Sequence, residues 1–92
     1  VIDASLTIYG RPWCHLCDEM ADAVAPIAAR FGIRIEKVDV DSDPALEARF
    51  GLRIPVLAHG ERELAEHRLD AAVLERYLLG LKEGYDPPAT PC

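Results

Sequence analysis

Short apolar runs alternate along this chain with longer stretches whose apolar residues recur every three or four positions. Leu6-Thr7-Ile8-Tyr9 predicts a first strand. Gly10-Arg11-Pro12 breaks it, because Pro12 cannot extend a central strand. From Cys14 to Arg30 and on to Phe31, the residues Leu16, Met20, Val24, Ile27 and Phe31, with Ala23 and Ala28 filling in, mark one face of a helix. Pro26 falls inside that helix, where a proline costs about 3 kcal/mol, so a kink in the second half is expected rather than two helices. Gly32 ends it. Ile33 to Val40 is the second strand. Its apolar positions change parity, Ile33/Ile35 and then Val38/Val40, which predicts a bulge or burial on both faces.

Asp41-Ser42-Asp43-Pro44 stops that strand and starts a short helix, with Asp43 as cap and Pro44 at the first helical position. Leu46 and Phe50 face inward and Gly51 closes the helix. Pro55-Val56-Leu57-Ala58 and Glu63-Leu64-Ala65 then flank His59-Gly60-Glu61-Arg62 as an antiparallel hairpin. Asp70 caps a last helix whose inner stripe is Val73, Leu74, Tyr77, Leu78 and Leu81, with Gly84 at its end. The order is β-α-β-α-β-β-α. A helix joins the first two strands, so they should lie parallel with a right-handed crossover. The fold class is therefore α/β, a four-stranded mixed sheet with helices on both faces. Residues 1–84 read as one domain, and 85–92, which include Asp86-Pro87-Pro88, as a disordered tail.

With 92 residues the chain has room for one core burying roughly 60–70% of its unfolded surface. The formal net charge of −6 argues against nucleic acid or an anionic membrane as partner, since both require basic patches. No apolar stretch approaches the roughly 20 residues of a membrane span, and no charged start precedes a signal-type apolar core. Three cysteines are too few for a stapled secreted scaffold. A cytoplasmic, monomeric protein is expected.

Cys14-His15-Leu16-Cys17 carries the chemistry. It sits between a strand and a helix, where two thiols separated by two residues can close a small disulfide ring and reopen it. Exchange needs a solvent-facing thiolate that attacks and a second thiol that resolves the mixed disulfide. Cys14, at the helix start, is the candidate attacker and Cys17, one turn in, the candidate resolver. The helix dipole supplies about 0.3–1 kcal/mol, less than one pKa unit at about 1.4 kcal/mol each, whereas thiolates in such motifs lie about 1–5 units below a free cysteine. Hydrogen bonds to the sulfur and cations must supply the rest. Arg11 is one such cation and His15 another when protonated, while Asp18 and Glu19 oppose the effect. A moderately acidic Cys14 is expected.

With this order of elements, the segment from Ile8 through Gly10-Arg11-Pro12-Trp13 to Cys17, together with Arg53-Ile54-Pro55-Val56 and Val38-Asp39-Val40-Asp41, resembles the thioredoxin superfamily and its glutaredoxin-like branch. It looks most like small bacterial glutaredoxin-like proteins with His-Leu between the cysteines. The resemblance spans Leu6 to Leu81. It implies a thiol–disulfide oxidoreductase acting on protein disulfides or glutathione disulfide, with no tightly bound cofactor and with glutathione as candidate co-substrate. It also implies a cis Ile54–Pro55 bond beside the cysteines, with the Ile54 backbone pairing to an extended substrate. Arg11 stands where glutaredoxins often carry Lys, and Trp13 is expected to pack beside the motif and shield one side. Arg11, Trp13, His15, Ile54, Pro55 and Asp70 form the expected substrate site. Three departures matter. Ile8 stands where thioredoxins carry a buried acid, His15-Leu16 where glutaredoxins carry Pro-Tyr, and Ala65-Glu66-His67-Arg68-Leu69-Asp70 where they carry a Gly-Gly turn for glutathione. Glu66 would repel glutathione carboxylates.

Other readings stand beside this one. The cysteines could be an inert pair, or the Ile54-Pro55 groove a non-catalytic binding module. A zinc carrier is disfavoured, because His15, His59, His67 and Cys92 show no ligand spacing, and an iron–sulfur cluster shared across a dimer, because it relies on glutathione and an open helix end. His15 reads as a modulator of redox potential or a solvated surface group. His59 and His67 read as solvent-facing, and Cys92 as a bystander thiol or a regulatory partner for Cys14. Asp39, Asp41 and Asp43 lack the glycine and terminal Glu of a calcium loop and serve strand-end and cap duty.

Overall fold

Alternation in β1 (Ser5–Gly10) sends Leu6, Ile8 and Gly10 to one side of a sheet and leaves Tyr9 on the other. In the computed structural model, which describes residues 5–82, this strand is central. The sheet order is β2-β1-β3-β4, with β2 (Arg34–Asp39) parallel to β1, β3 (Val56–His59) antiparallel to β1, and β4 (Arg62–Glu66) antiparallel to β3. The helices are α1 (His15–Phe31), α2 (Pro44–Phe50) and α3 (Ala71–Lys82), with a 3-10 turn at Val40–Ser42. The chain is the expected α/β fold, β-α-β-α-β-β-α, with helices on both faces.

Two apolar clusters account for the layers. Leu6, Ile8 and Leu57 pack against Met20, Val24, Ile27 and Ala28 of α1 and Leu74 and Leu78 of α3. On the opposite face Val40, Phe50 and Val56 are buried, with Tyr9, Leu46 and Ile54 packed around them. Tyr9 and Phe50 stack with ring centroids 4.2 Å apart, worth about 0.5–1.5 kcal/mol beyond burial. Local signals set the helix ends. Gly32 takes a left-handed φ of 67° and Ile33 N–H donates to the Ala28 carbonyl at 2.9 Å, which closes α1. The Asp43 carboxylate accepts from Ala45 N–H at 2.9 Å, with Pro44 first in α2. Asp70 does the same for α3, accepting from Ala72 N–H at 3.0 Å. α1 runs as one helix through the exposed Pro26 rather than breaking into two.

Several expectations are corrected. β2 pairs with β1 in continuous register and carries no bulge. Ile33 and Val40 lie outside the strand. Ile35 and Val38 are half-buried on opposite faces of what is an edge strand, and the charged Arg34, Glu36, Lys37 and Asp39 protect that edge. The irregularity falls instead in β4. Leu57 pairs with Ala65 and Ala58 with Glu63, so Leu64 is the extra residue. Leu64 and Ala65 therefore both pack on the first cluster although they are consecutive. The hairpin is tighter than expected, with His59 opposite Arg62 and only Gly60-Glu61 in the turn. Ala23 is exposed, as is Val73, at 44%; α3 presents Leu74 and Leu78 instead. His59 is half-buried rather than solvent-facing, its Nδ1 lying 2.6 Å from the Tyr77 hydroxyl. His67 is exposed, as expected. The side chain of Leu81, the helix stop at Gly84 and the tail with Cys92 lie outside the described residues. Among the described residues no helix is long and apolar enough to cross a membrane.

Burial, and then the charge of Arg62, holds the His59 imidazole below its ordinary value near 6.5. A folded state that resists protonating His59 has its full contribution above about pH 6.5 and loses it as pH falls below that value. Glu63, held low by its hydrogen bond to Arg53, acts only below about pH 4.5. The urea midpoint should therefore drop between pH 7.5 and 5.5, and His59→Gln should flatten that drop. An equal drop in the variant would remove His59 as its cause.

Candidate dithiol site at the start of the first helix

β1 ends at Gly10, and three residues later the chain turns into α1 with Cys14 as its N-cap. Trp13 makes the turn with a left-handed φ of 66°, a conformation costing an ordinary residue about 1–2 kcal/mol. Cys14 and Cys17 are joined by a disulfide, with Cα atoms 5.2 Å apart. The Cys14 sulfur also accepts from Cys17 N–H at 3.1 Å, the hydrogen bond an N-cap side chain makes to its first turn. Cys14 is half-exposed, whereas Cys17 is 8% exposed. Cys14 thus keeps part of its surface in solvent, while the Cys17 sulfur lies against the sheet at Gly10.

Gly10 makes that second position fit. A Cβ there would stand 2.7 Å from the Cys17 sulfur, inside any tolerable contact. Sequence reasoning took Gly10 only as the end of a strand. Its signal was a glycine at an inward-facing position of β1, where alternation calls for an apolar side chain. Cys17 also lines a shallow open groove toward β2, with Pro12, Asp18, Lys37, Val38 and Asp39 around it.

The expected substrate residues divide. The Ile54–Pro55 bond is cis. Because Tyr9 pairs with Val56 in the β1–β3 ladder, Pro55 lies at the same end of the sheet as Gly10 and the motif. Ile54 is half-buried and stands beyond that ladder; Pro55 is buried, and its carbonyl accepts from His67 N–H at 2.8 Å. Trp13 is 99% exposed and shields nothing, which corrects the expected packing. His15 is exposed in the first turn of α1. Asp70 is spent on its own helix, accepting from Ala72 and Val73 N–H at 3.0 and 3.4 Å.

Arg11 points elsewhere than the sulfur. Its guanidinium donates to Asp41 at 3.0 Å, to Glu47 at 3.0 Å and to the Gly51 carbonyl at 3.1 Å. The Asp41 hydrogen bond, with both carboxylate charges, pushes its pKa still higher, so the cation is permanent but already neutralised. Arg11 acts as a clasp between the loop before Cys14 and the segment after α2 that leads to Pro55. Among the described residues no three His, Cys, Asp or Glu side chains are grouped to hold a metal ion.

A mixed sheet in this order, with a disulfide at the mouth of α1 and a cis proline leading into β3, defines a thioredoxin-fold protein of glutaredoxin-like type. The chain belongs to the family described as Glutaredoxin-like domain (DUF836), whose model matches residues 5–79. An uncharacterized protein of Mycobacterium tuberculosis is 33% identical, over 68% of this chain and 75% of its own. A Nitrosomonas europaea protein solved by NMR superposes with a TM-score of 0.75 at 30% identity, covering 84% of this chain and 93% of that one. An X. campestris protein solved by X-ray gives 0.67 at 39% identity, with coverages of 83% and 97%. Thioredoxin 1 of Thermosipho africanus, at 23% identity and a TM-score of 0.57 over 85% of this chain and 98% of that one, shares the fold.

Gly10→Ala tests the packing. The added methyl must displace Cys17 or the start of α1, which should cost about 1–3 kcal/mol. The cost should shrink in the double variant with Cys17→Ala, where the opposing sulfur is gone. Thermal unfolding of the two alanine variants against their parents measures this; equal costs would show that the sulfur is not what the methyl meets.

Proposed function

We propose that the protein is a thiol–disulfide oxidoreductase of glutaredoxin-like type. The observation that carries this reading is the asymmetry of the pair, a half-exposed Cys14 capping α1 and a buried Cys17 bonded to it. In the reduced protein the Cys14 thiolate attacks one sulfur of a substrate disulfide. The substrate S–S bond breaks, and the departing sulfur takes a proton. Cys17 then loses its proton, attacks the Cys14 sulfur and expels the second substrate thiolate. Two electrons have passed to the substrate, and the Cys14–Cys17 disulfide has formed.

Each step has a local support. Cys17 N–H aims at the Cys14 sulfur and favours its anion, as does the start of α1. With Arg11 neutralised by Asp41 and Glu47, the Cys14 thiol should be moderately rather than extremely acidic. The groove beside Cys17 gives its proton a way out toward Asp18, Asp39 and water. Ile54, beyond the β1–β3 ladder, is the backbone we assign to hold an extended substrate.

Reduction of a disulfide-bonded peptide by the reduced protein tests the reading. Cys14→Ser should bring the rate to background. Cys17→Ser should still attack but accumulate a mixed disulfide, visible as an adduct by mass spectrometry. Reduction by Cys14→Ser at the parent rate would leave only a binding module. Alkylation of Cys14 should show a midpoint below the roughly 8.5 of a free cysteine. The potential of the pair gives the direction of flow, about −270 mV marking a reductant and about −120 mV an oxidant.

A further inference from the structure

Among the described residues Trp13 and Leu52 are 99% and 95% exposed, far beyond the next large apolar side chains in water, Leu79 at 46% and Val73 at 44%. They stand on two different loops, Trp13 next to Cys14 in the chain and Leu52 just after α2. The Arg11–Gly51 hydrogen bond of 3.1 Å ties the residue two before Trp13 to the residue just before Leu52. A tryptophan can bury roughly 150–250 Å², and here that surface is held in water next to Cys14. Half-buried Ile54 follows two residues after Leu52.

The charges around this apolar pair are one-sided. Arg11 is taken by Asp41 and Glu47, Arg53 by Glu63 at 2.7 Å and Glu66 at 3.3 Å, and Arg49 by Glu63 at 3.4 Å. The N–H groups that open α3 are taken by Asp70. Lys37 lines the groove beside Cys17 but shares it with Asp18 and Asp39. On α1, by contrast, the exposed Asp18, Glu19 and Asp22 make no ion pair among the described residues. An anionic ligand finds Arg11, Arg49, Arg53 and the N–H groups of α3 already engaged and meets free carboxylates within about two turns of Cys14, with exposed Arg68 and the first N–H groups of α1 left to offset them.

Resting on the oxidoreductase reading above, we propose that this site acts on disulfides in polypeptide segments that carry apolar residues and Lys or Arg near the cysteine. It discriminates against glutathione disulfide, which brings carboxylates and no large apolar group. Trp13 and Leu52 supply the contact, and the α1 carboxylates select the charge.

Single-turnover reduction by the reduced protein tests this with four substrates. These are two disulfide peptides sharing one apolar core, flanked by Lys or by Glu; oxidised glutathione; and the small neutral bis(2-hydroxyethyl) disulfide. At low salt the Lys peptide should react about ten-fold or more faster than the Glu peptide and than oxidised glutathione. The gap should shrink several-fold at high salt, as the screening length falls to a few ångströms. Leu52→Ser should slow both peptides several-fold relative to the neutral disulfide. Asp18→Asn with Glu19→Gln and Asp22→Asn should bring the Lys-to-Glu ratio toward one. Oxidised glutathione reacting as fast as the Lys peptide, or a ratio indifferent to both salt and the triple change, overturns the proposal while leaving the oxidoreductase reading intact. Failure to reduce even the neutral disulfide overturns the oxidoreductase reading itself, and the proposal with it.

Discussion

The site depends on one close approach, that of the Cys17 sulfur to the backbone of Gly10. Strand alternation aims position 10 into the layer between the sheet and α1, and the missing side chain leaves room for a sulfur. Once Cys17 is seated there, the helical turn before it carries Cys14 out to the rim as N-cap, half-exposed. The difference between the two sulfurs is thus a packing consequence. Nothing needs to hold Cys14 in solvent beyond the geometry of one helical turn.

A second constraint is electrostatic. Arg11 joins three groups that lie 30, 36 and 40 residues further along the chain. With its side chain partly exposed, this pairing adds modest stability. Its structural effect is larger, because it fixes the loop before Cys14 against the segment that leads into Pro55. It also pairs with Asp41 and Glu47 the cation that the resemblance to glutaredoxins would have left free there, although Arg11 still lines the groove with Cys17. The negative character of this face follows from where Arg11 goes, rather than from the net charge alone.

Much of the fold was legible because its signals are local. Asp43-Pro44, Gly32 and Asp70 cap helices through contacts within a few residues, and Leu6, Ile8, Val24 and Leu78 follow simple periods. What escaped was non-local. The extra residue Leu64 is defined only by its partner strand. Of the two readings of the Ile33–Val40 parity change, β2 carries no bulge and instead half-buries Ile35 and Val38 on opposite faces. His59 belongs to the core edge because Tyr77 meets it from α3. In the site, the cysteines announce themselves by spacing, but the partners of Arg11 and the exposure of Trp13 depend on the path of the chain between distant segments. Gly10 was visible as a residue, yet its reason is a sulfur seven positions away across a turn.

Ile8 shows how the core and the proposed chemistry constrain each other. It is 3% exposed, packed among α1 and α3 side chains at the position where thioredoxins carry an acid. Burying its side chain there contributes about 1.5–3 kcal/mol, whereas an unpaired carboxyl at the same place would cost several. The gain in stability leaves no internal base beneath Cys17. In the exchange proposed above, the outlet beside Cys17 is the groove edged by Asp18, Lys37 and Asp39. That groove is open to water, and Asp18, Lys37 and Asp39 on its walls are exposed. The charged edge strand β2 that protects the sheet from pairing also provides one wall of that groove.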